Sequence, residues 1–511
     1  MTISAYLFDE KRLPWLAALS AVLVASWVAF QAHGFTNNDG VLYIEVAKQF
    51  SNHEWKKGLA LYNWPFYPAL LATLHSLTGL TFQEAGTVLT VMFFALSSTG
   101  LVLLVKELGG DRRVMLFAAI LLLCSPYIVR NLLPMVVMRD HGFLAFHVWS
   151  VVFFLRFRQN PNVKKALWWG VAAILATLFR IEGIIYLALL PVVLLVDTSR
   201  PWTSRFVLLL KSEILPLIMG LLLFFILLWH GTLSIEKLGR LGDPISFIQL
   251  TIAQLTHGLS TKADLYGATI LGPYLKDYAF NGILLTLLLV LIVKIAASAG
   301  WLQLLLAVLP SRMIQYHTPR HILILKWLAV IGIGNAIIVL LSVFVLSTRY
   351  LLPLAILILI FSAFGLDCIA RSLQNKRLIY GIALILLLQF VANIRPPGAD
   401  RLSEIDAAHW VRHHASQEQT VFFDDGRMRY YAYGESSERR KLPWVEMQKL
   451  LTPEFLARYD YIVVHVSPDD KDQKEFLRAK LGAPVISFGS LTKKHIEIFA
   501  LSHEMESASP P

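Results

Sequence analysis

Charge is scarce in this chain. Only 16% of its 511 residues are Asp, Glu, Lys or Arg, while 56% are hydrophobic. Soluble domains carry about a quarter charged residues, so this balance excludes one and points to a polytopic membrane protein. Cysteine is nearly absent, and the two present, Cys124 and Cys368, lie far apart within apolar stretches. That excludes a disulfide framework and a cysteine metal site. No Asn-x-Ser/Thr sequon occurs, in keeping with a bacterial inner membrane. His409 and His413 have i, i+4 spacing but no glutamate between them as in HExxH, so a zinc-protease helix is set aside. No internal repeat is present.

What is there is a series of apolar runs. At about twenty residues per crossing, they give about eleven spans, over residues 13–30, 84–105, 114–129, 142–157, 166–179, 183–196, 214–229, 279–295, 323–346, 351–369 and 378–391. The run 300–309 is too short to cross and is expected to lie along the cytoplasmic face. The formal net charge of +11 would suggest nucleic acid in a soluble protein. Here the basic residues fall in short loops on one side: Lys106, Arg112 and Arg113; Arg156, Arg158, Lys164 and Lys165; Arg200, Arg205 and Lys211; Arg312, Arg320 and Lys326; Arg371, Lys376 and Arg377. The positive-inside rule accounts for them and makes that side, with the N-terminus, cytoplasmic.

Two segments are expected on the opposite face. Residues 31–82 form a first external loop, rich in Trp and Tyr as interfacial segments are. Residues 231–277 form a long external loop with the composition of a mobile segment or lid. The membrane domain ends at 394, followed by an Arg395-Pro396-Pro397-Gly398 linker and a small soluble α/β domain over 399–505. Its expected elements are a helix at 403–415, strands at 420–423 and 461–466, a helix at 474–481, and strands at 485–488 and 495–501. The last residues, 507–511, read as a disordered tail. The fold class is thus a polytopic α-helical membrane protein with a C-terminal α/β domain, placed in the periplasm by the same sidedness argument.

Ionisable groups at membrane depth are costly and are retained for function. Four clusters fall at external helix ends: Asp39 with Tyr43; Arg139, Asp140 and His141; Arg180 with Glu182; and Arg349 with Tyr350. Asn37 or Asn38 can cap a short helix, which puts Asp39 in a first turn where the helix dipole favours an ionised acid. Guanidinium groups bind phosphate oxygens through paired hydrogen bonds and offset charge that develops on a leaving phosphate. A carboxylate can take the proton of an attacking hydroxyl. Structural readings stand beside these. Asp39 could be only a helix-cap acid, Arg139–Asp140 an interfacial ion pair, Arg180–Glu182 a pair across the turn at Gly183, and Arg349 a side chain reaching for headgroups.

The motifs Asp39-Gly40, Trp64-Pro65-Phe66-Tyr67-Pro68, Arg139-Asp140, Arg180-x-Glu182-Gly183 and Arg349-Tyr350-Leu351-Leu352-Pro353, in that order and on one side, resemble the GT-C glycosyltransferase superfamily. The resemblance is to bacterial members similar to the protein-mannosyltransferase and aminoarabinose-transferase group (glycosyltransferase families 39 and 83). It covers most of the chain up to about 394. It implies a GT-C-like fold and a hexosyl or pentosyl transferase that takes its sugar from a polyprenyl-phosphate donor. The acceptor would be a glycan, lipid or protein hydroxyl, as in cell-envelope glycan or lipopolysaccharide assembly. Asp39 and Asp140 match its catalytic acids; Arg139, Arg180 and Arg349 would bind the donor phosphate; Tyr43, His141, Glu182 and Tyr350 would line the substrate. Many relatives have two adjacent acids where this chain has Asp39-Gly40, so no metal and no other cofactor is expected. A transporter or flippase of lipid-linked sugars, or a polymerase or ligase using the same carrier, are the alternatives. Spans free of mid-membrane charge argue against alternating access.

Overall fold

The computed structural model describes residues 9–229, 240, 242–308, 319–372, 376–396, 398–416, 419–435 and 441–501. Arg312 and the 507–511 tail, both named above, lie outside the described residues. The chain separates into two compact units. One comprises Met1–Trp27, Val88–Leu133 and Arg139–Ile394; the other comprises Val28–Thr87, Pro134–Met138 and Arg395–Pro511. One boundary falls between Ile394 and Arg395, and the second unit also takes in the expected first external loop.

Among the described residues, six helices are long and apolar enough to cross a membrane: Leu13–Gln31, Phe82–Glu107, Arg112–Leu132, Lys276–Ala299, His321–Val343 and Thr348–Arg371, with shorter apolar helices at Gly183–Val196 and Arg377–Asn393. The expected count of eleven is not met at that standard. Val163–Phe179 has 17 residues and Ile214–Trp229 has 16, and Arg139–Gln159 carries charge at both ends. The long loop is also revised. Of 231–277, residues 231–239 and 241 lie outside the described residues, and the remainder is largely helical, with Asp243–Ala253 and Leu259–Tyr266 joined by π-helical turns. Pro244 in the first turn starts a helix well, and Ile245, Ile248 and Ile252 recur at helical spacing. Gly and Thr residues gave the segment the look of a loop.

The centre of the first unit is Leu352–Ser372. Its residues from Leu352 to Ala363 are nearly all buried, as expected of a helix that is apolar on every face. Trp301–Val308 packs against it and buries Gln303, whose amide donates to the Cys124 carbonyl at 3.3 Å. That short helix packs one face on Leu352–Ser372 through Gln303 and Leu306 and leaves Trp301, Leu305 and Val308 exposed on the other. A buried amide is tolerated there because its polar atoms are partnered.

In the second unit, four strands form one sheet: β1 (Val421–Phe423), β2 (Tyr461–Val466), β3 (Ile486–Phe488) and β4 (His495–Ala500). Their order is β1-β2-β4-β3, with β1 parallel to β2 and the other pairs antiparallel. β-branched Ile462, Val463, Val464 and Val466 are buried in β2, where such side chains pack well on a pleated surface. Helices Ala399–His414 and Gly426–Tyr433 cover one face through Ala408, Val411 and Met428, and Lys471–Leu481 covers the other through Leu477 and Leu481.

An ion network closes one edge of this core. Asp424 accepts from His465 Nδ1 at 2.8 Å and from its backbone N–H at 2.9 Å, while His465 Nε2 lies 3.2 Å from Glu404. Burial alone would push the His465 pKa down, but the Asp424 and Glu404 carboxylates push it up to about 9. A histidine held protonated in the fold adds stability below its unfolded pKa near 6.5. That stability is lost as pH rises through 9. Thermal unfolding of the full-length protein should therefore show a transition that weakens between about pH 6.5 and 9, by up to about 3 kcal/mol. His465→Gln should flatten that dependence.

Candidate active site

The first unit builds its site on Arg180. Val163–Phe179 ends there in extended backbone, and the chain turns at once, with the Gly183 N–H donating to the Arg180 carbonyl at 2.9 Å. A Cβ on Gly183 would lie 2.7 Å from the Thr177 backbone, so only glycine lets the turn close this tightly. The turn aims Arg180, 1% exposed, back into the protein. Its Nε and Nη2 donate to the two oxygens of Glu182 at 3.2 and 2.8 Å, and its Nη1 donates to Asp140 Oδ1.

Asp140 stands in the first turn of Arg139–Gln159 with no exposed surface. Its Oδ2 is buried and has no hydrogen-bond partner among the described residues. A buried acceptor left this way costs about 1–3 kcal/mol. Such an atom is expected where a ligand hydroxyl or amide completes the bonding. Arg139 and His141, both buried, flank it on the same helix. From a third element, the turn Thr348–Leu351, the Tyr350 ring comes within 4.8 Å of the Arg180 guanidinium, and Arg349 lies 5.8 Å from the same ring. Burial would raise the Glu182 pKa, but Arg180 holds it at about 2, so the acid is ionised at neutral pH. Arg139, Asp140, His141, Arg180, Glu182, Arg349 and Tyr350 are thus gathered in one unit. Among these seven residues, three guanidinium groups face two carboxylates.

Sequence reasoning missed two members. Tyr127 lies within electrostatic reach of Asp140, Arg180 and Arg349, on a π-helical turn started by Pro126. Proline inside an apolar run was the available signal, since it breaks the helical ladder. Asp243, at the start of a helix first read as loop, lies within electrostatic reach of Glu182 and Arg139.

Asp39 and Tyr43 belong to the second unit. Asp39 sits in the first turn of Asn38–Ser51, capped by Asn37, whose Oδ1 accepts from the Gly40 N–H at 2.8 Å. The preceding residue, Thr36, exchanges two hydrogen bonds with the Tyr431 hydroxyl, at 2.7 and 3.0 Å. The Asp39 loop is thereby tied to a helix almost four hundred residues later. Tyr43 is buried between Tyr62 and Tyr67, each with its ring centre 5.4 Å away, and contributes its ring to packing. Gly40 is confined: a Cβ would lie 2.1 Å from Thr36 Oγ1 and 2.9 Å from the Val137 carbonyl. Position 40 has no room for a second acid beside Asp39.

Elsewhere in the second unit, Glu404, Asp425 and His465 hold ligand-type atoms within 4.8 Å of one another. Arg427 already bonds both carboxylates, at 2.8 Å to Glu404 and 3.0 Å to Asp425. With His465 protonated as well, the group is a closed ion network and a poor metal cage.

No protein-family model matches the chain, and no curated protein matches it. Solved structures do. The oligosaccharyltransferase of Archaeoglobus fulgidus, in complex with Zn and sulfate, aligns over 90% of this chain and 69% of its own, at 14% identity and a TM-score of 0.50. The chain shares the fold of that protein. ArnT from Cupriavidus metallidurans bound to undecaprenyl phosphate aligns over 94% of this chain and 97% of its own, at 14% identity and a TM-score of 0.42. The arabinofuranosyltransferase AftD from Mycobacteria covers 96% of this chain at 14% identity and a TM-score of 0.46, and this chain spans about two fifths of it.

Removing Asp140 strands the Arg180 charge in a buried site, which typically costs 3–5 kcal/mol. Because Glu182 remains as a partner, Asp140→Ala should lower stability by about 2–3 kcal/mol, read as a fall in melting midpoint in detergent, with Asp140→Asn affected less. Gly40→Asp, which adds the second acid, should destabilise by more than about 1 kcal/mol through overpacking and should not raise activity. The same melts and a transfer assay check both.

Proposed function

We propose that this protein is a glycosyltransferase that moves a hexosyl or pentosyl group from a polyprenyl-phosphate donor to a hydroxyl on a glycan, lipid or protein. The observation that carries the reading is the buried Arg180, clamped by Asp140 and Glu182 beside Arg139 and Arg349. That is a guanidinium-rich seat at the ends of helices, suited to a phosphate that becomes more negative as the sugar leaves. The GT-C fold fits it.

In this scheme the acceptor oxygen attacks the anomeric carbon as the bond from that carbon to the donor phosphate oxygen breaks. The proton of the acceptor passes to a carboxylate base, the role that the Asp39 motif proposes, and the electron pair leaves on the lipid phosphate. Arg180, Arg139 and Arg349 stabilise that charge, most strongly because they are already oriented when it develops. Asp140 acts through its unpartnered oxygen by accepting a hydrogen bond from a substrate hydroxyl. Glu182 keeps Arg180 in place, while Tyr350 and His141 line the sugar. Residues 1–394 form the transferase part and 399–505 an external α/β domain. The setting is the cell inner membrane, with the N-terminus in the cytoplasm and the C-terminal domain in the periplasm.

The test is transfer by the purified protein from a panel of polyprenyl-phosphate sugars. Asp39→Asn should lower turnover by about 10²–10⁴-fold, the usual worth of a general base, while donor binding is kept. Arg180→Lys should weaken donor binding, because an ammonium cannot reproduce the two-pronged contact. Undiminished transfer by the Asp39→Asn protein would remove Asp39 from catalysis. Absence of transfer from every donor, with donor movement across vesicles instead, would favour the transporter class.

A further inference from the structure

The Arg139–Gln159 helix has two ends, and only one belongs to the site above. Its 21 residues extend about 30 Å at 1.5 Å per residue, so its last turn lies a membrane's thickness away from Asp140. At that far end a cavity of about 710 Å³ opens between Arg158, the Asp197–Arg200 loop and His321. It lies on the side where the chain concentrates its Lys and Arg.

The cavity has excess positive charge. Arg158 donates to Asp197 Oδ2 at 2.6 Å, and the other Asp197 oxygen accepts from the Ser199 hydroxyl at 2.6 Å and its backbone N–H at 3.2 Å. The single carboxylate among the described lining residues is thus fully used, while Arg200 supplies a second guanidinium. That loop is also braced: Arg205 donates to the carbonyls of Arg200 and Leu195 at 2.6 and 3.1 Å. The rest of the wall includes apolar Leu155, Val196 and Leu323. Directly after the loop, helix Trp202–Ser212 exposes Trp202, Phe206, Val207 and Leu210 beside Arg205 and Lys211. An amphipathic helix with basic residues and an exposed tryptophan belongs in the headgroup layer, which sets the cavity at the same depth.

We propose that this cavity binds the phosphate of an anionic phospholipid from the leaflet opposite the Asp140 cluster. Arg200 and Arg158 hold the phosphate oxygens, and the acyl chains leave past the apolar wall. Basic pockets between membrane helices recognise lipid headgroups on this principle. The phosphate chemistry alone would also admit a soluble phosphate ester, but the apolar wall and the adjoining helix favour the lipid.

The experiment uses the full-length protein in nanodiscs of phosphatidylcholine, with and without phosphatidylglycerol. Melting midpoints and native mass spectra of retained lipid are the readouts. Wild-type protein should melt higher with phosphatidylglycerol and retain it in preference to phosphatidylcholine. Arg200→Gln should lower that preference about fivefold, the scale of one basic residue at an anionic membrane, with its midpoint in pure phosphatidylcholine close to wild type. Should that variant fold poorly, Arg200→Lys keeps the test open, since it should retain most of the preference. Equal behaviour of wild type in both lipids, or an undiminished preference in Arg200→Gln, overturns the proposal. A midpoint rise of the same size from glycerol phosphate in pure phosphatidylcholine would assign the cavity to a soluble ligand and overturn the lipid assignment.

Discussion

A guanidinium buried at the end of a membrane helix needs carboxylates, and Arg180 takes two from different places. Glu182 comes from its own turn and Asp140 from the start of Arg139–Gln159. An unpaired charge in that setting is prohibitive, whereas one over-supplied with acids could not bind an anion. The arrangement between those limits clamps Arg180 with two acids and brings Arg139 and Arg349 within electrostatic reach of Asp140. It also explains the backbone around it. Gly183 is needed because the turn that returns Arg180 inward passes against the Thr177 backbone.

The second unit obeys a different constraint. Its acid, Asp39, is on a short helix whose start is secured by Asn37 and by the Tyr431 hydroxyl. Tyr431 belongs to Gly426–Tyr433, which lies against the sheet. Folding of the C-terminal domain therefore bears directly on the Asp39 loop. A domain that looks like an appendage in the sequence is part of what holds that loop. The ion network of Glu404, Asp424, Asp425, Arg427 and His465 closes the core next to these contacts.

Much of the local structure was legible from residue pattern. Strand β2 coincides with the β-branched run Tyr461–Val466, and the Asn-capped helix of Asp39 begins where the cap signal put it. Misreadings came where two signals competed. Gly and Thr outweighed isoleucine periodicity in 243–266. Tyr127 was overlooked because an aromatic residue in an apolar run carries no mark of its own; only the neighbouring Pro126 hinted at a break.

Composition by itself settled that this chain lives with lipid, because so few charges cannot solubilise so much apolar surface. Residue order along the chain likewise put Arg139, Asp140, Arg180, Glu182, Arg349 and Tyr350 at helix ends. Tertiary structure alone decided that the guanidinium of Arg180 meets Asp140, forty residues away, that Asp140 keeps one oxygen without a partner among the described residues, and that position 40 has no space for a side chain. Those are matters of contact between segments remote in sequence. Periodicity constrains only the face on which a side chain emerges, whereas the partner it meets there depends on how the helices pack.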